Sequence, residues 1–224
     1  MNKQHLIKYL EGCVTEERKE IFKKVIKDRT RHFTVILEDL FQKHNTSAIT
    51  RSCDVFGVQD MHIIENKYST YVSNQVGKGS QKWMTFHRYN QKMHNTQACI
   101  DTIKAKGYQI IATTPHESSE FVADFDVSKK TAFVFGVEKE GVSDMMMEQA
   151  DGYLKVPMYG FTESLNVSAA AAIIFQDVAT RVRKTDTKWE LTTEENSEVY
   201  LSWLQNSIKS IDAIMERYDK EFAS

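Results

Sequence analysis

The run Val156-Pro157-Met158-Tyr159-Gly160-Phe161-Thr162-Glu163-Ser164-Leu165-Asn166, continuing into Val167-Ser168-Ala169-Ala170-Ala171-Ala172-Ile173-Ile174, decides how this chain folds. A short strand ends at Pro157, a loop follows, and a helix opens with four consecutive alanines. Small side chains let such a helix approach another backbone closely. A tightly packed helix with Ser164 as N-cap accounts for the alanines, but not for Asn166, where helix propensity is poor.

Upstream, strand-like runs alternate with helical ones. Phe33–Leu37, Met61–Ile64, Tyr108–Ala112, Ala132–Phe135 and Tyr153–Val156 are short and apolar, rich in β-branched and aromatic residues. Between most of them lie helical patterns over Asn45–Phe56, roughly Gln91–Lys106, and Asp144–Ala150. Alternation of this kind predicts an α/β core with a mainly parallel sheet covered by helices on both faces. The organisation expected is an N-terminal helical extension over 1–30, a core over 31–183 and a C-terminal helical extension over 184–224. In the first extension, Glu16–Lys27 should bury Ile21, Val25 and Phe22. In the last, Thr192-Thr193-Glu194-Glu195 reads as a capping box. The residues Val199, Tyr200, Trp203, Leu204, Ile208, Ile211, Met215 and Tyr218 after it mark one apolar helix face.

Composition bounds the function. The chain has 224 residues, 41% hydrophobic and 27% charged, with a net charge of −2, which is ordinary globular composition. The longest apolar run, Ser168 to Phe175, is far short of a membrane span. The N-terminal stretch lacks the features of a signal or transit peptide, so a cytoplasmic location is expected. Cys13, Cys53 and Cys99 are far apart, as in a reducing compartment. Charge is uneven: residues 1–33 carry nine basic and five acidic side chains, residues 66–100 five basic (Lys67, Lys78, Lys82, Arg88, Lys92) and no acidic ones, residues 184–224 five and nine. Two basic segments could attract phosphates or simply be a solvated surface.

Several chemistries are absent. No G-x-G-x-x-G follows a strand, and Gly77-Lys78-Gly79-Ser80 fails the Walker spacing. There is no G-x-S-x-G elbow. The seven histidines show no close metal-ligand spacing, so no metal is expected.

Two further segments can carry chemistry. After Val35-Ile36-Leu37-Glu38-Asp39-Leu40, the polar stretch His44-Asn45-Thr46-Ser47 leads into a helix containing Arg51. Asn45 is a possible cap. Arg51, six residues on, lies about a third of a turn round the helix from it, so the two do not share a face. In Phe133-Val134-Phe135-Gly136-Val137-Glu138-Lys139-Glu140-Gly141-Val142-Ser143, a buried strand enters a loop with two glycines, a carboxylate and a possible cap at Ser143. Ligands of open α/β sheets bind at such carboxyl ends.

Taken jointly and in order, the three segments resemble the signature motifs of the SpoU branch of the SPOUT RNA 2′-O-ribose methyltransferases, over about Arg29 to Arg183. The matching residues are Asn45 with Arg51, Gly136-x-Glu138 with Gly141-Val142, and Val156-Pro157-Met158-x-Gly160 with Ser164-Leu165-Asn166-Val167-Ser168. Within the branch, Gly77-Lys78-Gly79-Ser80-Gln81-Lys82-Trp83 is similar to the tRNA (guanosine-2′-O-)-methyltransferases. The resemblance implies a C-terminal trefoil knot of SPOUT type, a homodimer, and S-adenosyl-L-methionine as cofactor beside Thr113, Gly136, Val156 and Leu165. It implies catalytic roles for Arg51, Asn45, Glu138, Ser164 and Asn166, and tRNA contacts by Arg29, Arg181 and Arg183. Arg51 would act either as a base or as a phosphate clamp. The expected target is the D-loop guanosine at position 18 of tRNA. The alternatives are rRNA, the tRNA anticodon loop, or a non-catalytic RNA-binding member.

Overall fold

The computed structural model describes residues 3–70, 79–92, 94–115, 119–137 and 140–222. Close contacts divide the chain into two compact units, one of residues 30–189 and one of residues 1–29 with 190–224.

The larger unit is a seven-stranded sheet. Its strands are β1 (Phe33–Glu38), β2 (Asp60–Ile64), β3 (Thr85–Tyr89), β4 (Gln109–Thr113), β5 (Glu120–Phe121), β6 (Thr131–Phe135) and β7 (Gly152–Lys155). They lie in the order β3-β2-β1-β6-β4-β7-β5. Every pairing is parallel. The helices are α3 (Lys43–Phe56), α4 (Asn95–Ala105), α5 (Asp144–Gln149) and α6 (Val167–Val182). Because side chains alternate along a strand, β1 and β6 serve two cores. Val35, Leu37, Phe133 and Phe135 pack with Ile49 and Cys53 of α3 and with Ala171, Ile174 and Phe175 of α6. Ile36, Ala132 and Val134 face the other way, onto Cys99, Ile100 and Ile103 of α4 and Met146 of α5. Burial on both faces explains why these strands read as unbroken apolar runs.

The five anticipated strands all form. Two more were not anticipated. Strand β3 falls in the basic segment, where His87 and Arg88 mask its pattern, and it takes the sheet edge where charge is tolerated. Strand β5 is only two residues long. Helix α4 starts at Asn95 rather than Gln91, the Asn95 side chain accepting from Lys92 N at 2.9 Å. Helix α3 starts at Lys43, so Asn45 sits inside its first turn and is not the cap. The cap of α6 is Asn166, not Ser164: its Oδ1 accepts from Ser168 N at 2.9 Å. That resolves the poor propensity, since asparagine is unfavourable within a helix and favoured at its N-cap.

The smaller unit holds α1 (Lys3–Glu11), α2 (Glu16–Val25), α7 (Thr193–Ser207) and α8 (Ile211–Phe222). The capping box forms, with Thr192 and Glu195 satisfying each other's backbone amides. The single apolar face expected beyond it is broken into two helices. The break comes at Ile208, which is extended, and Ser210, at φ +57°. In α2, Phe22 is buried while Ile21 and Val25 are exposed, so the expected three-residue face is reduced to one side chain. Phe22 meets Trp203 edge-on at 5.5 Å between ring centroids. No helix among the described residues is long and apolar enough to cross a membrane.

Burial sorts the cysteines. Cys13 is exposed, Cys53 and Cys99 are buried. Burial pushes the Cys99 thiol up to about 12, leaving almost no thiolate at neutral pH. Titration of the native protein with a thiol-specific disulfide reagent is expected to release one fast equivalent, from Cys13. The other two should react only on unfolding, and Cys13→Ser should remove the fast phase.

Candidate functional site

The carboxyl ends of β4, β6 and β7 open into a cleft of about 700 Å³, counting the open solvent at its mouth. Thr113, Gly136, Val156 and Leu165, from three separate stretches of chain, all line it, together with Ser164, Met158 and Ile174. One wall is a loop folded back on itself. Val137 and Gly141 exchange hydrogen bonds of 2.9 and 2.7 Å. Gly141 adopts φ +72°, which favours glycine. Gly136 has no room for a side chain: a Cβ there would lie 2.0 Å from the Gly141 carbonyl oxygen. Glu138 lies outside the described residues.

A residue the sequence reading passed over anchors this loop. Glu38, at the end of β1, is 3% exposed. Its carboxylate accepts from Ser143 N at 2.9 Å, Ser143 Oγ at 2.8 Å and Thr96 Oγ1 at 2.7 Å. Ser143 also caps α5 as expected, accepting from Met146 N. An acidic residue at the end of an otherwise apolar strand was the available signal, since buried carboxyl groups need partners. Next to it, Asp39 sits at φ +52°. Its Oδ1 accepts from Asn66 N at 2.7 Å and Lys67 N at 2.8 Å, fixing the turn after β2.

The first and third segments meet directly. Asn166 Nδ2 donates to Asn45 Oδ1 at 3.1 Å. Asn45 is buried and donates in turn to Gln42 Oε1. Asn166 follows Leu165 and precedes Val167, both cleft residues, so this contact stands at the cleft's rim. Ser164 is exposed and lines the cleft. Arg51 is exposed on α3. It makes no hydrogen bond or ion pair with any described residue, and the structure does not bring it against Asn45 or Asn166.

The three arginines expected to meet tRNA are occupied by protein. Arg29 is 1% exposed, with its guanidinium 5.5 Å from the Trp203 ring centre. Arg181 holds Asp177 Oδ1, Phe125 O and Val122 O at 2.6–2.7 Å. Arg183 donates to Ala179 O at 2.8 Å and to Phe56 O at 3.3 Å, and lies 4.6 Å from the Trp189 ring. Each of these guanidiniums satisfies carbonyls or stacks on indole within the protein, which its planar fork does well.

Residues 32–176 match the model of the SpoU rRNA Methylase family. The chain belongs to that family. A tRNA (guanosine(18)-2′-O)-methyltransferase of Borreliella burgdorferi is 35% identical to it over 205 residues, 92% of each chain. An enzyme of the same name from Thermus thermophilus is 37% identical over 160 residues, 71% of this chain and 80% of the relative. Among solved structures, the TrmH/SpoU tRNA modifying enzyme of A. aeolicus superposes with a TM-score of 0.75 at 30% identity, covering 87% of this chain and 98% of that one. The AviRb methyltransferase of Streptomyces viridochromogenes, solved with AdoMet, shares the fold at a TM-score of 0.60 and 22% identity, covering 72% and 65%.

The Gly136 contact yields a paired test. Gly136→Ala must push the backbone at Gly141 aside and is expected to lower stability by about 2 kcal/mol, in the range for overpacking. Gly160→Ala, which meets nothing within 4 Å, should leave stability unchanged. Urea unfolding of both variants against the parent measures the difference.

Proposed function

We propose that this chain transfers the methyl group of S-adenosyl-L-methionine to the ribose 2′-hydroxyl of guanosine 18 in the D-loop of tRNA. The observation that carries this reading is that the second and third family segments line one cleft, with Asn45 of the first segment bonded to Asn166 at its rim. The names of the full-length relatives supply the substrate. They favour it over the rRNA and anticodon-loop alternatives.

The cleft suits such a cofactor. Leu154, Val156, Leu165 and Ile174 offer apolar walls, and Gly136 and Gly141 present main chain to the cleft. When bound, the cofactor supplies an activated methyl on a sulfonium. The rest falls to the protein: it must align the ribose oxygen with that methyl and help the hydroxyl proton leave. Asn45, Asn166 and Ser164 present amide and hydroxyl groups at the rim and hold the nucleotide there, with Glu138 as a further member. A guanidinium is a poor proton acceptor at neutral pH, so Arg51 is not read as the base. Its exposed, uncommitted fork instead clamps an RNA phosphate and stabilises the developing alkoxide.

Three features support the finer parts of the reading. The strand order β1-β6-β4-β7, with the stretch after β7 lining the cleft beside the loop after β6, suits a deep trefoil knot at this end of the sheet. Tyr159 and Phe161 are fully exposed, and Leu165 and Ile173 more than a third exposed. An apolar patch of this kind suits a homodimer with the active site near its interface. The exposed lysines Lys24, Lys27 and Lys92 are better placed than the committed Arg29, Arg181 and Arg183 to meet phosphates, and those arginines act in this reading by anchoring the elements around them. A tRNA-modifying role places the protein in the cytoplasm. It also makes residues 31–183 the catalytic domain and the two terminal segments its RNA-facing extensions.

Incubating the protein with methyl-labelled cofactor and total tRNA, then mapping the label, is expected to give a single 2′-O-methylguanosine at position 18. Label in rRNA or in the anticodon loop would sink the assignment. Arg51→Lys keeps the charge and loses the fork. It should lower single-turnover methyl transfer about 100-fold, as expected for loss of one preorganised donor, while cofactor affinity stays unchanged.

A further inference from the structure

At the β2–β3 edge of the sheet, Asp60, His62 and His87 form a cluster that the proposed methyl transfer does not use. Asp60 and His62 are two apart on β2, which puts both on one face, and His87 stands beside His62 in register on β3. The imidazoles stack at 4.5 Å between centroids. One ligand atom from each of the three residues can be chosen so that all lie within 4.8 Å of one another. We propose that these three residues form a binding site for a zinc-class divalent ion, with two nitrogen ligands, one carboxylate oxygen and an open position for water.

Four observations support it. His87 Nε2 is buried and, among the described residues, makes no well-formed hydrogen bond, only a long contact with the Asp60 carboxylate, a state that a bound ion would explain. It lies 3.4 Å from Asp60 Oδ2, close to the roughly 3.3 Å between ligands on a tetrahedral ion with bonds of about 2.0–2.1 Å. The outer contacts orient the donors: Tyr89 OH holds His62 Nδ1 at 2.9 Å, leaving Nε2, and Arg31 Nε holds Asp60 Oδ1 at 3.2 Å, leaving Oδ2. Such outer hydrogen bonds commonly fix metal ligands. Finally, β3 is an edge strand and the His87 side chain is 31% exposed, so an ion can enter from solvent. The positive charge of Arg31 weakens the site without removing a donor. The ion would tie the edge strand to β2. The site faces α4, while the cleft opens at the carboxyl ends of β4, β6 and β7 across β1, so metal binding and methyl transfer are separable.

The sequence signal is Asp60-x-His62, a spacing suited to a strand but not to a helix. The search for close metal-ligand spacings passed it over because its third member is 25 positions away from His62.

Titrating the full chain with cobalt(II) tests the proposal. The expected result is one equivalent bound, with the intense visible bands of a low-coordinate site, displaced by zinc(II). His87→Ala should abolish those bands, and Asp60→Asn should do the same without opening a cavity. Tyr89→Phe should weaken binding about 10-fold. A native fold in each variant is checked by circular dichroism. Absence of the bands in the parent, or their persistence in either ligand variant, overturns the site.

Discussion

The structure of the cleft depends on one steric constraint: the backbone of Gly136 passes so close to that of Gly141 that no side chain fits between them. Two stretches of main chain in contact need their polar groups paired, and the Val137–Gly141 exchange does this. The loop therefore becomes a compact wall rather than an open connection. A ligand on its far side meets backbone, which is the environment that a cleft with few charged lining residues offers. The glycine at 136 serves close approach, whereas the one at 141 serves a positive φ; they are not interchangeable.

That wall is held by Glu38. Its carboxylate ties the end of β1 to the start of α5 through Ser143 and to the first turn of α4 through Thr96. A buried carboxylate is costly unless every oxygen is well bonded, and losing a partner leaves the full desolvation cost behind. With three donors aimed at it, the group acts as a fixed corner from which the second segment departs. Asp39, the next residue, performs a similar task for the turn after β2. The polar residues just beyond an apolar strand thus set loop geometry on both sides of it.

Much of this was legible in the sequence, for identifiable reasons. Strands buried on both faces announce themselves as apolar runs, so all five of the expected ones form. The edge strand β3 escaped because its exposed positions admit His87 and Arg88, and period-two burial is lost there. The caps at Ser143 and Thr192 were readable because their bonds are local. The cap at Asn166 was misread because the loop before it offered Ser164 as a rival with equal chemistry. The intramolecular partners of Arg29, Arg181 and Arg183 were hidden for a different reason. Sequence shows charge but not whether a guanidinium faces solvent or a ring of carbonyls. Of the candidate site, Thr113, Gly136 and Val156 lie at strand ends and Leu165 just before α6, where the resemblance puts them, whereas the link between Asn45 and Asn166 depends on how α6 is seated against α3 and could not be read from spacing.

That link unites folding and chemistry in a single side chain. Asn166 spends its amide oxygen on the first turn of α6, accepting from both the amide and the hydroxyl of Ser168. Its amide nitrogen remains, and donates to Asn45. Serine, threonine or aspartate would cap the helix as well, a contribution of about 1 kcal/mol in each case. Aspartate offers no donor to reach Asn45, and the hydroxyls of serine and threonine are too short to reach both partners at once. The requirement for asparagine therefore comes from the second bond, not the first. Because both bonds share one rotamer, the start of α6 and the position of Asn45 are set together. The cleft rim inherits its geometry from a helix cap.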